Sequence, residues 1–172
     1  MASNTETLVI VGLGNPGPRH AGDRHNVGFW FTDQLAAHIG GRFSAEGKLQ
    51  ADECRGELQG RPVRLIKPDT YMNRSGQSVR RVLDYYGLSG DQLLVVHDEL
   101  DLAPGVARLK KGGGHGGHNG LRDIVATSGP DFLRLRIGIG HPGHKDAVHG
   151  YVLHDFAKVE HEWLGPLLDA VA

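Results

Sequence analysis

The sequence predicts an α/β fold, a single-domain sandwich of helices around a twisted mixed β-sheet. Short apolar runs of strand length alternate with stretches of helical period, the pattern of a sheet covered on both faces. Two of those runs, Leu8–Val11 and Leu93–Val96, are apolar at every position, as strands buried on both sides are. The 26 glycines among 172 residues lie beside apolar runs and form no repetitive tract, which signals many tight turns and argues against disorder.

In chain order, Thr7–Gly12 is read as a buried strand ending in glycine. Residues 26–38 follow as a helix, with Val27, Trp30, Phe31, Leu35 and Ile39 at helical spacing. Glu53–Leu58 and Pro62–Ile66 form a hairpin across the Gln59-Gly60-Arg61 turn. Ser75–Tyr86 is a helix with Val79, Val82, Leu83 and Tyr86 inward and Gly87 as its C-terminal cap. Leu93–Val96 delivers His97-Asp98-Glu99 at a strand end, Val106–Lys110 is a strand, Asn119–Thr127 a helix and Phe132–Ile139 an alternating strand. Residues 155–172 have a helical pattern that Gly165-Pro166 must break or kink. One domain, 1–172, is expected, since a chain of this length buries roughly 70% of its unfolded surface.

A formal net charge of −1 points to no strongly acidic or basic partner. Basic residues do cluster locally, with Arg19, His20, Arg24 and His25 in one loop, Lys110 and Lys111 before the triple glycine, and Arg134 and Arg136 in the late strand. Taken alone each cluster reads equally well as solvated surface. A single cysteine, Cys54, allows neither an internal disulfide nor a cysteine-only metal site, in keeping with a reducing cytosol. The start of the chain has no signal-peptide pattern, and no apolar run approaches the ~20 residues that span a bilayer, so a cytoplasmic protein is expected. Without a heptad pattern or a large apolar surface stretch, a monomer is expected.

Three stretches bring an asparagine into glycine-rich or turn-forming surroundings: residues 12–17, 71–76 and 112–120. Glycine lets backbone approach a ligand and a carboxamide donates and accepts at once, so the set suits a polar, peptide-like group. Gly12-x-Gly14-x-x-Gly17 matches the dinucleotide fingerprint, but Pro16 and Pro18 flank its third glycine and no acidic residue ends a second strand about 20 residues on. Eleven histidines invite a metal, yet no His-Glu-x-x-His occurs, and His115 and His118 read as surface or backbone-bonded. No Gly-x-Ser-x-Gly elbow exists, and Cys54 reads as a small buried apolar side chain. What survives is a histidine with a carboxylate partner and no protein nucleophile, which makes water the attacking group. His25 with Asp98 is the pairing chosen, with Glu99 and Asp101 as rival carboxylates.

The motifs Gly-Leu-Gly-Asn-Pro-Gly (12–17), Arg-His-Asn-Val-Gly (24–28), Lys-Pro-Asp-Thr-Tyr-Met-Asn-Arg-Ser-Gly (67–76), His-Asp-Glu-Leu-Asp-Leu-Ala-Pro-Gly (97–105), Gly-Gly-Gly-His-Gly-Gly-His-Asn-Gly-Leu-Arg-Asp (112–123) and Arg-Leu-Arg-Ile-Gly-Ile-Gly (134–140) together resemble bacterial-type peptidyl-tRNA hydrolase. The resemblance implies hydrolysis of the ester between a peptide and the 3′ ribose of tRNA, with no metal and no organic cofactor. It implies His25 as base and Asp98 as its orienting partner. Asn15, Asn73 and the Met72–Asn73 backbone would hold the peptide and the reacting carbonyl, and Asn119 would position water or peptide. Lys110 and Arg136 would meet phosphates of the tRNA acceptor end. His20 takes the place of a usual tyrosine beside the base, which predicts reduced activity, and the chain's end at Ala172 reads as a short or truncated C-terminal helix. The alternative class is a non-catalytic RNA-binding protein of the same fold.

Overall fold

The structure is a computed structural model and describes residues 7–153; the helix expected over 155–172 lies outside them. Its elements run β1 (Leu8–Gly12), α1 (Val27–His38), β2 (Ser44–Glu46), β3 (Ala51–Leu58), β4 (Arg61–Pro68), α2 (Ser75–Tyr86), β5 (Leu93–Glu99), β6 (Ala107–Lys111), α3 (Asn119–Ser128), β7 (Leu133–Gly138) and α4 (Val148–Val152). The strands form one mixed sheet in the order β2-β3-β4-β1-β5-β7-β6. Its centre, β4-β1-β5-β7, is parallel, while β3 and β6 run antiparallel to their neighbours β4 and β7. The expected sandwich of helices around a mixed sheet is what these residues build.

The central strand β1 is apolar throughout because it serves two cores. Val9 and Val11 point to one face, where α2 and α3 cover them with Val79, Val82, Leu83, Leu121 and Ile124. Ile10 points to the other, where Val27, Phe31 and Leu35 of α1 pack with Val63, Leu65 and Ile137. Alternation along a strand thus divides one apolar run between two layers. α2 ends at Gly87, whose φ of 64° is the left-handed cap that glycine takes without a Cβ penalty.

The fingerprint-like glycines open no helix. Beyond Gly17 the chain makes two 3₁₀ turns, Pro18–His20 and Arg24–Asn26, and α1 begins only at Val27. His25 therefore lies in a tight turn just before the helix, one residue outside the predicted helix start. β2 and α4 carry no sequence expectation: β2 has three mostly exposed residues, and α4 has five, both too short to show a period. Cys54 is buried in β3, as expected of a small apolar side chain.

Candidate active site

Because β1, β4 and β5 are parallel, their carboxyl ends share one edge of the sheet. The loops that leave this edge meet around a cleft of about 420 Å³, lined by Asn15, His25, Met72, Asn73, Asp98, His118 and Asn119 among others. Close backbone approach sets the position of His25. A Cβ on Gly28 would lie 2.5 Å from the Val96 carbonyl oxygen and 2.6 Å from the Leu13 nitrogen. One on Gly12 would lie 2.3 Å from the Gly28 carbonyl oxygen. The first turn of α1 thus rests directly on β1 and β5, and the 3₁₀ turn before it brings His25 to Asp98 at the end of β5.

His25 Nδ1 lies 2.9 and 2.8 Å from the two carboxylate oxygens of Asp98, and both residues are buried. Of the three candidate carboxylates only Asp98 has this geometry, since Glu99 turns toward Arg136 at 3.8 Å and accepts from the Asp101 backbone. With its Nδ1 proton on Asp98, the ring leaves Nε2 unbonded and open to the cleft. Burial pushes the His25 pKa down, but the charge and hydrogen bond of Asp98, aided by Asp23, outweigh it and raise the pKa above the ordinary 6.5. Burial likewise pushes Asp98 up, and the facing rings of His25 and His118 hold it well below the ordinary carboxylate range.

His118 is the residue that sequence reasoning missed. Its Nε2 lies 2.7 Å from Asp98 Oδ1, while its Nδ1 accepts the backbone N–H groups of Gly120 and Leu121 and so caps α3. Those two donors place the ring proton on Nε2, directed at the carboxylate. His25, Asp98 and His118 offer ligand-type atoms within 4.8 Å of one another, but the His118 nitrogen that a cation would need carries this proton. Behind the pair stands His97, fully buried, with Nδ1 2.7 Å from the Asp98 carbonyl oxygen and its ring edge-on to His118 at 5.1 Å. Burial, reinforced by His118, pushes its pKa down to about 3, so it is a neutral wall.

Asn15 is locked in place by Asn26. The Asn26 carboxamide accepts from the Asn15 N–H at 2.8 Å and donates to the Asn15 carbonyl at 2.9 Å. Asn15 Oδ1 in turn accepts the Met72 N–H at 2.6 Å, which turns its amide NH₂ to the other side. Of the Met72–Asn73 backbone expected at the reacting carbonyl, the Met72 N–H is thus engaged by Asn15 in this structure. The Met72 side chain is buried at the cleft floor, while Asn73 and Asn119 stand exposed on its rim.

The sequence profile of the family described as peptidyl-tRNA hydrolase matches residues 9–172. This chain belongs to the peptidyl-tRNA hydrolase family. It is 54% identical over 165 residues to peptidyl-tRNA hydrolase of Rhodospirillum rubrum, covering 95% of this chain and 67% of that one. Against the peptidyl-tRNA hydrolase of Roseobacter denitrificans the identity is 52%, covering 95% and 70%. The crystal structure of peptidyl-tRNA hydrolase from Acinetobacter baumannii superposes with a TM-score of 0.93 at 50% identity, covering 98% of this chain and 86% of that one.

Three expected residues lie away from the cleft lining. His20 turns its Nδ1 to Asp23 at 2.8 Å, because both side chains belong to one turn three residues apart. It reaches the site only through Asp23, whose charge helps to raise His25. Lys110 and Arg136 lie on the β6–β7 ladder, where Lys110 pairs with Arg134 and Arg108 with Arg136, so both project from one sheet face. The far wall of the cleft is α4, with Val148, His149 and Val152. Arg24 ties it down, stacking on the Tyr151 ring at 4.0 Å and donating to the Tyr151 carbonyl.

Proposed function

We propose that His25 is the base and Asp98 its orienting partner in this protein, which hydrolyses the ester joining a peptide to the 3′ ribose of tRNA and releases both. The observation that carries the reading is a buried histidine fixed through Nδ1 to an ionised carboxylate, with Nε2 open to the cleft. Nε2 takes a proton from water as the water oxygen bonds to the ester carbonyl carbon. The resulting oxyanion is met by carboxamide N–H groups of Asn73, Asn119 or Asn15. As the carbon–oxygen bond to the ribose breaks, Nε2–H returns the proton to the departing 3′ oxygen. Asp98 stabilises the imidazolium without taking its proton, since the second bond from His118 keeps the carboxylate a weak base. An ester needs no more than a positioned base, worth roughly 10²- to 10⁴-fold, and oxyanion donors.

Lys110 and Arg136 are assigned to phosphates of the acceptor end, and the contact of Arg136 with Glu99 joins that face to the cleft lip. A non-catalytic RNA-binding role is disfavoured, because gripping phosphate has no use for a histidine pair on a buried carboxylate. We take the protein to be a cytoplasmic monomer. Among the described residues no helix is long and apolar enough to cross a membrane, and the exposed large hydrophobics are Tyr71, Tyr85 and Leu109. Sedimentation at assay concentration tests the monomer.

Release of label from N-acetyl-aminoacyl-tRNA tests the chemistry. His25→Ala is expected to lose about 10²- to 10⁴-fold in kcat while binding tRNA as the parent does. A folded His25→Ala protein with parental turnover would remove His25 from the mechanism. Unblocked aminoacyl-tRNA is expected to be cleaved poorly, because its charged amine would be desolvated among neutral carboxamides.

A further inference from the structure

Arg134 and Arg136 alternate with leucines along β7, yet they have different fates. Arg136 is half-buried beside Glu99, whereas Arg134 is only 1% exposed. A guanidinium removed from water is costly unless bonded, and one would expect a carboxylate beside it. Instead its hydrogen bonds go to backbone carbonyls: Nη1 donates to Gly114, and Nη2 to Gly113 at 2.6 Å and Pro130 at 3.2 Å. The Phe132 ring lies beneath the charge at 4.4 Å.

Those carbonyls belong largely to the segment most in need of fixing. Residues 112–118 contain five glycines, and Gly112, Gly113, Gly116 and Gly117 have φ of 68°, 102°, 57° and 83°. Glycine loses more backbone freedom on ordering than other residues, so such a stretch is costly to fix. Its own bonds gather at the ends, Gly112 N–H to the Phe132 carbonyl and Gly117 and His118 N–H groups to His115. Between them Gly113 and Gly114 are held by Arg134. A planar fork can reach converging carbonyls that a neutral side chain would leave unpaired.

Downstream the loop ends at His118 on Asp98 and at Asn119 on the cleft rim. We propose that Arg134 is a positioning residue for the hydrolysis: its buried guanidinium anchors the glycine loop and thereby holds His118 and Asn119 in register with Asp98 and His25. The inference rests on the proposed roles of those four residues. Loss of the guanidinium frees the loop, His118 leaves the carboxylate, and the base loses an ordered partner, while Lys110 and Arg136 keep their places on the ladder.

Arg134→Met and Arg134→Lys, measured for kcat and KM on N-acetyl-aminoacyl-tRNA, test this beside Val79→Ala, which loosens the core under α2 and leaves the guanidinium in place. Arg134→Met is expected to lose on the order of 10²-fold in kcat with KM changed by no more than about threefold. Arg134→Lys, which keeps a charge but not the fork, is expected to recover part of that loss. Val79→Ala is expected to lower Tm without it. A folded Arg134→Met protein that keeps kcat within about threefold of the parent, or loses no more than Val79→Ala, overturns the proposal. Should neither arginine variant fold, backbone order parameters of the parent decide: about 0.85 over residues 113–117 supports an anchored loop, and values below about 0.6 overturn it. His118→Asn and Asn119→Ala separate the two readings. If both lose activity and Arg134→Met does not, Arg134 alone is wrongly placed; if both keep full kcat, the site assignment falls and the route through the loop with it.

Discussion

At the scale of single residues, two histidine protons are directed at one carboxylate, that of Asp98. As the proposed base, His25 acts only with Nε2 free, so its raised pKa is expected to place the rise of kcat/KM with an inflection above 6.5. In Asp98→Asn the opposing charge is gone and burial dominates, so the inflection is expected below 6.5 and kcat lower by about 10²- to 10⁴-fold. A pH–rate profile of both proteins checks this, and an unmoved inflection would mean that Asp98 does not set the base. The same shift has a stability consequence of opposite sense. Since the folded pKa is above the unfolded one, the shift of His25 contributes its full stability below about 6.5 and loses it as pH rises through the folded pKa. Turnover is therefore expected to grow in the range where this contribution is lost.

At the scale of elements, position comes from backbone contact. The seat of α1 on β1 and β5 has no room for a methyl group at Gly28, with the Val96 carbonyl 2.5 Å from where a Cβ would be. Gly28→Ala is expected to cost about 1–3 kcal/mol and to lower kcat as well, because α1 and the turn carrying His25 must move together. Thermal unfolding with a kcat measurement checks both, and an unchanged Tm would show that the helix shifts freely. On the β6–β7 ladder the expectation is electrostatic. Lys110→Ala should weaken tRNA binding and reduce the slope of log K against log salt by about one, leaving kcat near the parental value. An unchanged slope would place Lys110 off the phosphate path.

At the scale of the whole molecule, acid stability depends on groups the reaction does not titrate. His97 is neutral in the fold down to about pH 3 and becomes charged near 6.5 when unfolded. A depressed folded pKa means that its contribution is complete above 6.5 and drains away as pH falls toward 3. Asp98, also depressed, adds to the loss once pH falls below its ordinary 3.8. Unfolding free energy should thus decline from pH 6.5 to 3 with up to one proton from His97, a slope of about 1.4 kcal/mol per pH unit. Denaturant titrations across this range on the parent and His97→Asn check it. A variant with the same slope would assign the acid limb to other groups.

Strands, helices and turns were legible in the sequence wherever a local period was long enough to show. The two-sided runs at Leu8 and Leu93, the inner face of Ser75–Tyr86 and its glycine cap all stand where they were read, because burial imposes a period on neighbouring residues. The motifs also brought out His25 and Asp98, with Asn15, Asn73 and Asn119 around them. Three-residue β2 and five-residue α4 were not legible, since neither completes a period. What only the tertiary structure decided is which polar group meets which. The second histidine on Asp98 comes from 20 residues away and the first from 73, and Asn15 takes the Met72 N–H from 57. His20 turned to Asp23, and Arg134, alternating with leucines like a solvent-facing residue, was buried because the glycine loop closes over its guanidinium while Lys110 on the same face stays exposed. A period records which side of an element is covered; it holds no record of the distant backbone that covers it, and in this protein that backbone sets the proton positions of the site.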